Sequence, residues 1–234
     1  MNYKVRPQLI AALICLVYLS ATNSFAGMTP AEVKQFEQDK ALAEKGNPSG
    51  QYNLGVCYER GEGVARDAGQ AATWYRRAAT QGNMNAQFKL GFLHSQGLGV
   101  AKDDVQAIFW YRKAAEQGDA DAQAILGIAY DNGEGVTKNF VEAVKWLEKS
   151  AKQGNATAQR SLATHYFFAE GVSRDYVEAY AYFNLAVITD ERARKPLEIM
   201  ESKMSREEMS AGQRRTRELK KEIEDNLAAK RAGK

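Results

Sequence analysis

The sequence predicts an all-α fold, a solenoid of stacked helical hairpins. Two observations carry this expectation. The first is self-similarity at a fixed period of 36 residues. Leu54-Gly55, Leu90-Gly91, Leu126-Gly127 and Leu162-Ala163 fall in one column. Trp74, Trp110, Trp146 and Tyr182 fall in another, and Gly46, Gly82, Gly118 and Gly154 in a third. A fourth column holds Gly61-Glu62-Gly63-Val64, Gly97-Leu98-Gly99-Val100, Gly133-Glu134-Gly135-Val136 and Ala169-Glu170-Gly171-Val172. A period in the twenties to fifties marks a repeat architecture. The second observation is helical periodicity inside each copy, in a chain with only 4 prolines among 234 residues.

The elements follow in chain order. Residues 1–26 read as an export signal. Lys4 and Arg6 supply a charged start, Leu9 to Leu19 is almost wholly apolar, and Ser24-Phe25-Ala26 offers small residues for cleavage. The apolar stretch is short for a membrane span of about 20 residues. The expected location is therefore the periplasm or the medium, with no stable membrane span after cleavage. Cys15 is poorly placed for lipidation. Once the signal is removed only Cys57 remains, so no disulfide framework is expected. Its column also holds Leu93, Ala129 and His165. It reads as a small buried hydrophobe, with an exposed, dimerising thiol as the alternative.

Residues 27–46 are expected to form an N-terminal helix, with 31–46 resembling the last half of a helix that precedes a repeat. Residues 47–190 then hold four copies, 47–82, 83–118, 119–154 and 155–190. The copy from 119 shows the logic. Asp119 caps a helix on which Ala122, Leu126 and Tyr130 recur every four residues. Gly133 and Gly135 end it. Asn139 caps a second helix, as Asp67, Asp103 and Asp175 do in their copies. Ala143, Trp146, Leu147 and Ser150 make its inward stripe, and Gly154 closes it. Neither helix buries its apolar face alone, so the copies must stack. Mid-helix glycine at Gly55, Gly91 and Gly127 costs about 1 kcal/mol against alanine. Its repetition predicts a close helix approach, with the tryptophan column filling the adjacent space. His94, in the column of Tyr58, Tyr130 and Tyr166, reads as a core substitute.

These residues resemble a known family. In the second copy Ala86, Leu90, Gly91, Gly97, Gly99, Val100, Asp103, Ala107, Trp110, Tyr111, Ala114, Ala115 and Gly118 match the Sel-one-like repeat, a branch of the tetratricopeptide superfamily. The resemblance covers about residues 47–190. It implies a right-handed α-solenoid acting as a protein-interaction adaptor, without catalytic residues. A cysteine-rich branch is linked to cell-wall or β-lactam chemistry. This chain lacks the paired cysteines, so a cell-wall-active enzyme is kept only as the alternative.

Residues 191–234 are expected to form a helical cap. Pro196 marks a kink or a first turn. Ser205 and Glu208 form a capping box that opens a last helix. The basic residues Arg214, Arg215, Arg217, Lys220 and Lys221 are diluted by Glu218, Glu222 and Glu224, which reads as a solvated face, with binding of an acidic partner or anionic lipid as the alternative. The repeats lean acidic and the tail basic, with a net charge of +3 for the whole chain, which is no nucleic-acid footprint. The histidines His94 and His165 fall in different columns. No H-E-x-x-H, G-x-S-x-G, P-loop or C-x-x-C motif occurs. No catalytic residue, cofactor or metal is assigned.

The function expected is a non-catalytic scaffold binding a protein or peptide on a concave face. With Leu54 at 0° and 100° per residue, Tyr52, Val56 and Glu59 lie roughly 140–160° away. The same offsets select Phe88 and Phe92, then Ile128, then Arg160 and Phe167. These columns vary while the core columns hold. Tyr52, Val56, Phe88, Phe92, Ile128, Arg160 and Phe167 are therefore the candidate partner-binding residues. The competing reading is that first helices of neighbouring repeats pack through them.

Overall fold

The computed structural model describes residues 28–233; the expected signal at 1–26 lies outside them. Eleven α-helices and one 3-10 turn, and no strand, occur among the described residues. The chain divides into two compact units, one ending at Lys102 and one beginning at Asp103.

The first unit holds α1 (Pro30–Glu44), α2 (Pro48–Arg60), α3 (Ala68–Thr80) and α4 (Met84–Gln96). Helix α1 is a helix of 15 residues, and Thr29 and Glu32 close a capping box in front of Pro30. Asn47, Asp67 and Asn83 each accept a hydrogen bond from the third helical N–H at the starts of α2, α3 and α4. Leu54, Tyr75, Ala78, Ala86 and Leu90 are at most 1% exposed and form the seam between helices. Cys57 is buried and free, and burial, then Asp39 and Glu62, push its thiol up to about 11. The dimerising alternative thus has no exposed thiol to use.

The second unit holds α5 (Asp104–Glu116), α6 (Ala120–Asn132), α7 (Phe140–Ala151), α8 (Ala156–Phe168) and α9 (Tyr176–Ala186). The turn Glu191–Ala193, α10 (Arg194–Glu201) and α11 (Arg206–Ala232) complete it. The expected caps Asp103, Asp119, Asn139 and Asp175 are all in place. Helix α8 ends on Ala169 with φ +63°, the one positive-φ residue other than glycine among those described. Glycine holds the matching position in the other copies, where a left-handed cap costs it nothing.

The tail docks. Ser205 and Glu208 form the capping box expected, and α11 packs against α9. Leu219 and Ile223 are buried, and Gly212 lets Tyr180 approach within van der Waals range. Arg215 bonds to Glu178 at 2.6 Å and to Glu222 at 3.0 Å, while Lys230 reaches Gln153 Oε1 at 2.9 Å. Arg214, Arg217, Lys220 and Lys221 are exposed.

One feature departs from the sequence reading, and a second lies outside it. Gly55 faces the ring of Tyr75, and Gly127 faces Leu147; neither faces a tryptophan. Trp74 and Trp110 are only half-buried. An indole is too large for the narrow gap, and its N–H prefers access to water. Arg77 instead covers Trp74 at 4.4 Å and Lys149 covers Trp146 at 4.1 Å. The second feature is a buried amide ladder. Gln51, Gln87, Gln123 and Gln159 are 4–5% exposed. Each donates to the carbonyl eight residues earlier, on Ala43, Ala79, Ala115 and Ala151, at 3.0–3.4 Å. Gln81 donates to Gln51, and Gln153 to Gln123, both at 2.7 Å. Buried amides demand such partners, and here the end of the preceding helix supplies them.

Candidate partner-binding surface

The candidate residues sit on the first helices of the repeats. In the first unit Tyr52 and Val56 lie on α2 and Phe88 and Phe92 on α4, each pair one turn apart. Lys89 on α4 bonds to Glu59 on α2 at 2.9 Å, a side-chain link between the first helices of neighbouring repeats. Phe92 is 37% exposed, whereas Tyr52, Val56 and Phe88 are half-buried. Tyr52 packs on Tyr75 with ring centroids 5.7 Å apart. Tyr75 donates its hydroxyl to the Glu59 carboxylate. Burial and that acceptor both raise the Tyr75 hydroxyl well above its ordinary value, so it stays protonated.

The second unit uses its candidates differently. Ile128 and Phe167 pack against the buried cluster around Leu147 and Leu162. Phe167 also touches Tyr176, with centroids 5.6 Å apart. Arg160 bonds to Asp190 at 2.9 Å. In both units this face thus carries contacts between repeats as well as exposed surface. The 100° projection treats each helix as isolated, and so it could not separate the two uses.

A second recurring contact links the end of one hairpin to the next. Arg76 meets His94 at 3.4 Å, Arg112 donates to Tyr130 at 2.6 Å, and Tyr166 donates to Glu148 at 3.5 Å. All three pairs are 18 residues apart. His94 therefore takes the place of a tyrosine in a pairing column, consistent with its reading as a substitute. Its Nδ1 is buried with no hydrogen-bond partner.

Asp190 anchors the junction between the last repeat and the cap. It accepts from Arg192 at 2.7 and 3.0 Å and from Arg160 at 2.9 Å. Arg192, and then Arg160, hold its carboxyl at about 2. A lowered carboxylate adds stability above its unfolded value near 4 and loses it as pH falls through its folded value. Asp190→Asn should therefore unfold more easily than the native chain at pH 6. The two unfolding midpoints should converge as pH drops from about 4 to about 2, a convergence that urea titrations at stepped pH will read.

An open hollow of about 450 Å³ lies on the second-helix side of the first unit. Ala72, Thr73, Arg76, Arg77 and Val100 line it.

Helical pairs joined by short loops, with contacts recurring at fixed separations, define an α-solenoid repeat protein. The Sel1 repeat matches residues 48–83, 85–119, 120–155 and 156–187, more than half of the chain. The chain belongs to the Sel1 repeat family. It is similar to a protective antigen of uropathogenic Escherichia coli strains that displays an SLR fold. The two share 35% identity at a TM-score of 0.73, over 83% of this chain and 42% of that one. This chain thus spans less than half the length of that antigen. It is also similar to a Sel1 repeat protein from Oxalobacter formigenes, at 34% identity, TM-score 0.63 and 70% coverage of each chain. No curated protein matches. Sel1 repeat proteins act in general as protein-interaction scaffolds. No helix among the described residues is long and apolar enough to cross a membrane.

Proposed function

We propose that the protein is a non-catalytic scaffold acting outside the cytoplasm, which holds a protein or peptide against the first helices of its repeats. The observation that carries this reading is the variable aromatic column of the first unit. Tyr52 and Phe88, then Val56 and Phe92, occupy equivalent positions in successive copies. Phe92 is 37% exposed there. Exposed aromatic side chains supply contact area at low entropic cost and concentrate binding energy. Arg160, at the equivalent column of the last copy, is held by Asp190 instead. The charged, apolar and small-residue order of residues 1–26 supports export. The similar antigen of uropathogenic E. coli supports a site of action that other molecules can reach.

The test is capture of partners from envelope extract by the immobilised chain, native and Phe92→Ala. The native chain should retain a stoichiometric protein. The variant should retain at least tenfold less, with its stability changed by less than about 0.5 kcal/mol. Equal capture by both would place the partner elsewhere. Turnover of peptidoglycan fragments by the purified chain would establish the cell-wall enzyme instead.

A further inference from the structure

Among the described residues, the junction between the third and fourth repeats carries a cluster that no other junction repeats. His165 on α8 is 1% exposed. Its Nδ1 lies 2.9 Å from the backbone oxygen of Glu170. A carbonyl only accepts, so Nδ1 carries a proton and donates it. In the neutral ring this leaves a lone pair on Nε2. That nitrogen faces Asp131 Oδ1 at 3.7 Å, and Asp131 stands at the last turn of α6. A carboxylate has no proton to offer. Two acceptors therefore confront each other where a buried imidazole meets a partly exposed carboxylate, and something positive belongs between them.

The spacing says which cation fits. A shared proton would draw nitrogen and oxygen to about 2.7–2.9 Å. Two ligands of one zinc ion, each about 2.0–2.1 Å from the metal, stand roughly 3.4 Å apart in tetrahedral geometry. The observed gap is nearer the second. A third donor is present, because Asp131, His165 and Glu170 each offer a ligand atom within 4.8 Å of the others. The ring is already fixed as metal-binding imidazoles usually are, with its far N–H held by a backbone carbonyl. Phe140 packs edge-on against it, with centroids 5.8 Å apart. The left-handed turn at Ala169 brings Glu170 back over the ring, and the Glu170 N–H bonds to the His165 carbonyl at 3.1 Å. The positions equivalent to His165 in the other copies are Cys57, Leu93 and Ala129, none of which pairs an imidazole with two carboxylates.

We propose that Asp131, His165 and Glu170 bind one divalent transition-metal ion, with zinc the best fit. One imidazole and two carboxylates suit zinc, whereas calcium prefers six to eight oxygens. Three protein donors leave a fourth position for water or for a donor from a partner. Bound metal would clamp α6 to the loop after α8.

The experiment is calorimetric titration of zinc chloride into the full chain after it has been stripped with chelator. Calcium chloride is the comparison. One zinc per chain is expected, with a raised melting temperature and no heat from calcium. Asp131→Asn and Glu170→Gln should each weaken zinc binding at least tenfold. Glu170→Gln keeps the main-chain carbonyl that holds the ring, so its metal-free melting temperature should stay native. His165→Gln removes a buried side chain and is interpreted only alongside these two. Absence of zinc binding overturns the proposal. So does binding that neither carboxylate variant weakens, or equal binding of calcium.

Discussion

Gly99→Ala is expected to destabilise the first unit by about 3 kcal/mol, whereas Gly46→Ala should cost only about 1 kcal/mol. Both glycines have positive φ, +69° at Gly99 and +84° at Gly46. The backbone penalty of adding a Cβ is therefore shared. The surroundings differ. At Gly46 a Cβ meets nothing within 4 Å. At Gly99 it would stand 2.7 Å from the Gly69 nitrogen and closer still to the Ala68 carbonyl. Those atoms belong to the first turn of α3, and a main chain locked by Asp67 cannot step aside as a flexible side chain would. Urea unfolding of the two variants separates the contributions. Equal losses would mean that the glycine in this loop serves the turn alone and not the contact with the preceding hairpin.

The second large effect is non-additive. Leu147 is fully buried, and Leu147→Ala should cost about 2–5 kcal/mol. In Gly127→Ala a methyl group would sit 2.7 Å from Leu147 Cγ and 3.1 Å from the Ala143 carbonyl. The helix gains about 1 kcal/mol from alanine, and overpacking costs about 1–3 kcal/mol. In the double variant the new methyl occupies part of the vacated space. Its cost should fall short of the sum of the single variants by about 1–2 kcal/mol. An additive result would show that Leu147 does not set the requirement for glycine at this column.

The helix starts and ends were legible because small polar residues and glycines do that work locally. Asp67, Asp103, Asp119, Asn139 and Asp175 cap helices wherever the chain places them, and so does Ser205. What lay beyond reach depends on which element meets which. Trp74 looked like the filler because it is the largest residue in its turn. The next residue, Tyr75, is the one that points at Gly55. The columns of Gln51 and Gln81 carried no signal, since an amide declares itself buried only when its acceptor is known. The cluster of Asp131, His165 and Glu170 draws on two repeats and a loop, so no single copy spells it. Helical projection alone could not say that Arg160 turns to Asp190 while Phe92 stays open.

The buried glutamine ladder bears on how such a protein changes over generations. Its bonds span 8 and 30 residues, and the pairs of arginine or glutamate with tyrosine or histidine span 18. A duplication or loss of one whole 36-residue copy leaves every one of those separations intact. An insertion of any other length inside a helix strands an amide in the interior. Copy number is therefore the variable open to selection. Lineages should lengthen or shorten the array by complete copies. The capped ends would pass unchanged through each event.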